Sequence, residues 1–289
     1  MINNVSENNI IRNGRISVIV PVLNAEKTLA ACLKSLLSQK IDFLELIVVD
    51  NASDDKTAEI IKSFAAYDKR IVYIYEATKG RGRARSAALK AVRGDVVAMT
   101  DADCLVPDNW LGALTEKIIN GEELAVMGFE SDAVGNYWTK MRQLEDEINL
   151  FKKVKNGFIS HLDTKNFACE AKLLKKIGFD ENFKSCEDLD LFFNFQKIGI
   201  KIKFLPDLRV AHFHDVSAKE VFKTERNRAF SSAAIFKKHK LSEFNKMDFI
   251  SFPFWAIWQI IKSPYRAPYR ILSDFAWKIG LIDYYFYKH

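Results

Sequence analysis

In its first hundred residues, the chain has four short, β-branched runs separated by three segments with helical periodicity. The strand-like runs are residues 16–20, closed by Pro21, then 44–49, ending in Asp50, then 71–75 and 95–100. Between them, residues 25–39 place Leu29, Cys32, Leu33, Leu36 and Leu37 on one helical stripe. Residues 56–67 and the stretch from the Gly/Arg loop at 79–83 to Val92 read as two further helices, the latter stopped by Gly94. Strict strand–helix alternation predicts an α/β fold, a mostly parallel sheet with helices on both faces.

Such a sheet gathers ligands beyond the carboxyl ends of its strands. Those ends carry Pro21 to Asn24, Asp50-Asn51, Lys79 to Arg83, and Asp101 to Asp103. The second half is less regular. Strands are expected at 124–129, 201–205 and 209–214, helices at 137–154, 171–177 and 188–198, and a mixed segment at 163–170. The expected organisation is an N-terminal segment (1–15), one domain (16–216) with halves at 16–103 and 104–216, and a helical extension (217–289).

Asp101-Ala-Asp103 directly follows a β-branched strand. Alternate residues of an extended chain point to the same side, so both carboxylates can face one oxygen-rich site. That suits Mg²⁺ or Mn²⁺, which take few carboxylates and fill their remaining positions with phosphate oxygens and water. A cation there would neutralise a departing diphosphate.

Residues 16–37 with Pro21 and Asn24, the Val-Val-Asp50-Asn-Ala-Ser-Asp-Asp block, and Gly94-Asp-Val-Val-Ala-Met-Thr-Asp101-Ala-Asp103 together resemble the family 2 inverting glycosyltransferases. The resemblance covers about residues 16–214 and implies the GT-A variant of the Rossmann-like sheet. It implies a metal-dependent enzyme that moves a sugar from a nucleotide-diphosphate donor, a UDP-sugar, to a saccharide or lipid-linked saccharide in cell-surface glycan synthesis. Pro21, Asn24 and Glu26 would line the nucleotide pocket. Asp50 would bond the base edge, and Lys79 and Arg83 would lie over base or diphosphate. Cys186-Glu187-Asp188-Leu-Asp190-Leu is similar to the family's Glu-Asp-x-Asp-Leu motif. Asp188 would then be the general base that inversion requires, and Glu187 would support the acceptor or orient that base. His212, favoured over His214, would complete the metal or diphosphate site with Asp101 and Asp103. Asn166 would contact sugar hydroxyls. The chain departs from the family's usual pattern at Arg85-Ser86, where Arg-Asn is common, and at Asn51, where a second Asp is common.

Charge is concentrated in the tail. Residues 217–289 hold 13 Lys/Arg against 6 Asp/Glu, whereas the remainder is nearly balanced. The tail is also rich in aromatics, including Phe222, Phe230, Phe236, Phe249, Phe252, Phe254, Trp255, Trp258, Tyr265, Tyr269, Trp277 and Tyr284. Trp, Tyr and basic residues favour the headgroup zone of an anionic membrane, so a peripheral membrane contact is expected. Closing the core or forming a homodimer are the other uses for such aromatics. No nucleic-acid-binding motif is present. Residues 1–15 lack the apolar core of a signal peptide, and the longest apolar run, 249–261, is too short to span a bilayer. Cys32, Cys104, Cys169 and Cys186 are widely spaced, which fits a reducing, cytoplasmic setting, with the inner face of the cell membrane as the peripheral site.

Two other readings share parts of this pattern. A sugar nucleotidyltransferase has a similar sheet and acidic site, but its first loop is usually Gly-rich, whereas Pro21-Val-Leu-Asn24 has no glycine. A silent sugar-nucleotide-binding module would not need Asp101, Asp103 and Asp188 together.

Overall fold

The computed structural model describes residues 14–133, 135–183, 185–213, 216–241 and 252–287. Most of the N-terminal segment, His214, and Phe249 with the start of the 249–261 run lie outside those residues. Strands β1 (Ile16–Val22), β2 (Glu45–Asp50), β3 (Ile71–Tyr75) and β4 (Val96–Met99) form a parallel sheet in the order β3-β2-β1-β4. The crossovers contain α1 (Leu29–Leu37), α2 (Thr57–Tyr67) and α3 (Arg81–Ala91). The central strands are apolar on both sides because both faces are covered. Val18 and Val20 join the core under α1 and α2, while Ile19 packs on the opposite face with Ala84 and Ala88 of α3.

Beyond β4 the sheet reverses direction twice. β9 (Phe167–Glu170) pairs antiparallel with β4 on one side and with β6 (Ala125–Asp132) on the other. β10 (Ile202–His212) then pairs parallel with β6. Two reversals restore the original direction, so β6 and β10 end on the same edge of the sheet as β1, β2 and β4. The mostly parallel sheet expected from the alternation is therefore a mixed one, parallel in its first half.

Three short strands complete it. β5 (Cys104–Leu105) pairs antiparallel with the end of β10, with Cys104 opposite His212. β7 (Val154–Lys155) and β8 (Phe158–Ile159) form a hairpin that extends the far edge. The two strands expected at 201–205 and 209–214 are one strand, with an irregularity in register between Phe204 and Arg209. Pro206 lies in that interval and has no N–H to give the ladder. Helices α4 (Trp110–Ile119), α5 (Tyr137–Phe151), α6 (Ala171–Ile177) and α7 (Glu187–Lys197) pack around the second half.

The tail contains α8 (Ala218–His239), α9 (Phe252–Lys262) and α10 (Ala267–Tyr287). A capping box starts α8: Ser217 Oγ accepts from the Glu220 N–H, and the Glu220 carboxylate accepts from the Ser217 N–H. Ala229 and Ala233 of α8 meet Leu281 and Tyr284 of α10 in a small core of their own. A second cluster, Met141, Val216, Val221 and Tyr269, ties the tail to α5. The α8–α10 crossing is close because Gly280 has no side chain. A Cβ there would overlap the Arg226 carbonyl oxygen.

Gly280→Leu should accordingly force α8 and α10 apart. The expected loss is about 1–3 kcal/mol from overpacking, read as a lower melting temperature and faster proteolysis of the tail.

Candidate active site

The strand ends on the shared edge frame a cavity of about 680 Å³. Pro21, Asn24 and Glu26 line it from the end of β1, together with Asn51 from β2, Lys79 and Arg81 from the start of α3, and Asp101 and Asp103 from β4. The wall nearest β1 is held by a polar lattice. Asn24 sits at φ 52°, a conformation Asn tolerates better than most residues, and its Oδ1 accepts from the Asp54 N–H at 2.9 Å. The Asn24 N–H donates to Ser53 Oγ and the Glu26 N–H to Asp55.

Asp101 and Asp103 both line the cavity but have different partners. Asp101 Oδ1 accepts from Arg85 at 2.8 Å. Asp103 Oδ2 lies 3.1 Å from His212 Nε2, and the other ring nitrogen of His212 is 3.1 Å from Glu130 Oε2. Glu130 therefore stands behind the imidazole while Asp103 stands in front of it. Burial pulls the His212 pKa down, but the two carboxylates outweigh it and hold it at about 9. Lys165 bridges Glu130 (3.1 Å) and Asp163 (2.8 Å) and helps to bring the Glu130 pKa to about 2 against the effect of burial.

Asp103, Cys104 and His212 bring their ligand atoms within 4.8 Å of one another. Burial, then the Asp101 and Asp103 charges, push the Cys104 thiol well above its ordinary range. Of the three, Asp103 lines the cavity, and His212, 6% exposed, lies against it from the buried side. A carboxylate behind the histidine is the usual support for a metal-binding ring.

Arg85 is the second centre. Its guanidinium is 2% exposed and bonds Glu187 as well as Asp101. Burial lowers its pKa, yet Glu187, Asp101, Asp188 and Asp163 more than compensate. Through Glu187, the start of α7 is fastened to the end of β4. The next residue, Asp188, is raised to about 7 by burial, then by the Glu187 and Asp163 charges, against the pull of Arg85. From the tail, α8 braces the same helix. His239 Nε2 lies 2.7 Å and Lys238 Nζ 2.8 Å from Asp190 Oδ1, and Ser185 and Ser231 share a 2.7 Å hydrogen bond.

Several expected contacts lie elsewhere. Asp50 does not line the cavity. It is 1% exposed and accepts from the Ser53 N–H and the Tyr73 hydroxyl, because it is still inside β2 where the backbone is covered. Asn51, one residue on, reaches the cavity, and its side chain bonds the Thr78 carbonyl and the Gly80 N–H, which fixes the loop carrying Lys79. Arg83 points away from the cavity to Glu181, 3.5 Å distant, and Arg81 takes the place at its rim. One helical turn cannot present both residues to the same side.

Asn166, expected as a sugar contact, does not line the cavity. It is 3% exposed; its Oδ1 accepts from Trp110 Nε1 at 2.9 Å, and its Nδ2 donates to the Phe129 and Leu208 carbonyls. Glu130, Arg85 and Asn51 were not anticipated as site residues. Arg85 carried a legible signal: it shares a helical face with Gly82, Ala84, Ala88 and Leu89, all buried, so its charge needed partners. Glu130 carried none, because only the pairing of β6 with β10 brings it to His212.

A sequence model described as glycosyl transferase family 2 matches residues 17–182. The chain belongs to that family. Among curated family members, an uncharacterized glycosyltransferase from Methanocaldococcus jannaschii, MJ1057, is 30% identical over 207 residues, 68% of this chain and 70% of its own length. The glycosyltransferase GlyA of Streptococcus pneumoniae is 35% identical over 126 residues. That match covers 43% of this chain but only 17% of GlyA, so the chain spans a small part of that relative. Among solved structures, a mannosyltransferase from Pyrobaculum calidifontis in complex with GDP-Man and Mn²⁺ superposes with a TM-score of 0.72 at 17% identity. The superposition covers 95% of this chain and 88% of the other, so the shared fold includes the tail as well as the sheet. This family 2 member keeps the acidic pair after β4 and the acidic start of α7, and joins them through Arg85.

For Asn166→Ala, the indole N–H of Trp110 and two buried carbonyls lose their partner. The expected loss is about 2–5 kcal/mol in a urea melt, with donor affinity of the folded fraction unchanged. Unchanged stability with weakened donor binding would instead return Asn166 to the site.

Proposed function

We propose that the chain is an inverting, metal-dependent glycosyltransferase that moves a sugar from a nucleotide-diphosphate donor to a hydroxyl of a saccharide or lipid-linked saccharide. The observation that carries this reading is that Arg85, Asp101 and Asp103 line the cavity, with His212 against Asp103 and with Glu187, the neighbour of Asp188 in the chain, bonded to Arg85.

Asp103 and His212 would hold the cation. A bound cation would neutralise charge on the diphosphate as it leaves. A nitrogen donor in the set favours Mn²⁺ over Mg²⁺, since Mg²⁺ prefers an all-oxygen shell. The Asp101–Arg85 pair and Lys79 add fixed charge along the diphosphate side of the cavity. Asn24, Glu26 and the Asn51 loop shape the nucleoside end, where a uracil base is the first choice and guanine, bound by the Pyrobaculum relative, is the second.

Asp188 would accept the proton of the acceptor hydroxyl while that oxygen attacks the anomeric carbon from the face opposite the diphosphate. The bond from sugar to diphosphate breaks with its electron pair leaving on the diphosphate, and configuration inverts in one step. Glu187, bound to Arg85, would orient the base and is a positioning residue. Asp188 at about 7 is a stronger base than an ordinary carboxylate and is still ionised in a useful fraction near neutrality. We place the enzyme on the cytoplasmic face of the membrane, where a lipid-linked acceptor would be presented; its four cysteines are free thiols, and no helix among the described residues is long and apolar enough to cross a bilayer.

Asp188→Asn is expected to lower kcat by roughly 10²–10⁴-fold while donor affinity is retained. Weakened donor binding with unchanged kcat would remove Asp188 from the base role. In the wild type, kcat/KM should rise with pH and level off above about 7, because the active form is the ionised carboxylate.

Chelation should abolish turnover, with Mn²⁺ restoring it better than Mg²⁺ and Asp103→Asn resisting rescue by either ion. A thermal-shift panel of nucleotide sugars with Mn²⁺ identifies the donor, since the correct ligand raises the melting temperature by mass action.

A further inference from the structure

Helix α9 is built inside out. A helix packed on a protein body normally turns its apolar stripe inward and its polar side chains to water. In α9 the buried residue is Gln259, 0% exposed and bonded to the Arg270 guanidinium. Phe252 and Trp255 are half-buried, Phe252 against Phe275 of α10, but most of its apolar residues face outward: Phe254 is 76% exposed, Ile257 57%, Trp258 48%, Ile260 55% and Ile261 76%. Residues 254, 257, 258 and 261 follow the spacing that puts side chains on one helical face, with Ile260 at its border. The neighbouring helices do not share this pattern. Much of the apolar surface of α10 is committed to α8 through Leu281 and Tyr284.

We propose that this face of α9 docks into an anionic lipid surface and lies along it. The inference deepens the peripheral-membrane part of the reading above and is independent of the transfer chemistry. Three observations support lipid as the occupant. First, charge is complementary: residues 252–273 contain Lys262, Arg266 and Arg270 and no Asp or Glu. Arg266 and Arg270 pair with Glu145 and hold this region against α5, while Lys262 remains at the edge of the exposed face.

Second, the border has the layered chemistry of a membrane interface. Lys262 Nζ lies 4.3 Å from the centre of the Trp258 ring, and Tyr265, 64% exposed, follows directly. Trp and Tyr settle at headgroup depth, and an adjacent ammonium reaches lipid phosphate. Third, the face is small. Eleven residues make a helix of about 16 Å, which cannot span ~30 Å of hydrocarbon. A strip of that length and about 10 Å width also falls well short of the roughly 800 Å² per partner that a stable dimer needs. Immersion in a lipid interface needs no matching partner surface.

The test is co-sedimentation of the full chain with phosphatidylcholine vesicles, with and without phosphatidylglycerol, at low and high salt. The wild type should bind the phosphatidylglycerol vesicles, and less so at high salt. Ile257→Asp/Ile261→Asp should bind at least 10-fold more weakly, and Lys262→Glu several-fold more weakly. Both variants should keep the wild-type melting temperature and donor-induced thermal shift, since the altered side chains are at the surface. Bromine-labelled lipid should quench wild-type fluorescence more than that of Trp258→Phe. No partition onto either vesicle overturns the proposal, as does equal binding by the double variant. So does a solution dimer that the double variant dissociates without vesicle binding, an outcome that assigns the face to a second copy. Loss of donor binding in the wild type would instead count against the transferase reading and leave the vesicle result standing.

Discussion

A guanidinium buried to 2% exposure tolerates very few arrangements, and Arg85 sets the terms for the rest of the site. Desolvating an isolated charge costs many kcal/mol, so Arg85 must be met by anions wherever it lies. It meets two, from segments about a hundred residues apart in the chain on one side and sixteen on the other: Glu187 at the start of α7 and Asp101 at the end of β4. The pair joins the donor-side acids to the proposed base. Such buried pairs contribute little net stability compared with apolar packing, but a missing partner is severely penalised. We read the arrangement here as a device for register, which fixes where α7 begins relative to the sheet edge.

The same balance explains why neighbouring acids differ. Asp103 and Glu130 lie beside His212 and, for Glu130, Lys165, and their pKa values fall despite burial. For Asp188, Arg85 and the Leu189 N–H are outweighed by burial, Glu187 and Asp163, and its pKa rises. One patch of acidic residues is thereby divided into a set that stays ionised, suited to a cation, and one carboxyl suited to taking a proton.

The tail serves both the site and the surface. α8 holds Asp190 of α7 through Lys238 and His239, so the helix carrying Asp188 is fixed from the sheet side and from the tail side. α10 packs on α8 and presents α9 with its apolar face outward. Charge and aromatic content identified the tail as unusual but did not separate residues that pack from residues that face outward. Tyr269 and Tyr284 are buried, whereas Phe254 and Trp258 are exposed, and nothing in residue type distinguishes these pairs.

Local physics was legible wherever a signal repeats within a few residues. The strand–helix alternation, the acidic pair after β4 and the acidic start of α7 each follow from periodicity or adjacency, and the chain itself determined them. Asn51 and Arg81 line the cavity where Asp50 and Arg83 do not, since adjacent positions at a strand end or helix start point in different directions. Asn166 is bonded within the core, a placement its residue type did not reveal, because an amide that anchors an indole and two carbonyls has the same composition as one that binds a sugar. Only the tertiary structure decided that β9 inserts antiparallel between β4 and β6, that Glu130 supports His212, and that Arg85 joins two acids. Each depends on contacts between distant segments, where the free energy of burying a charge or pairing a strand edge is set by whichever neighbour the completed fold supplies.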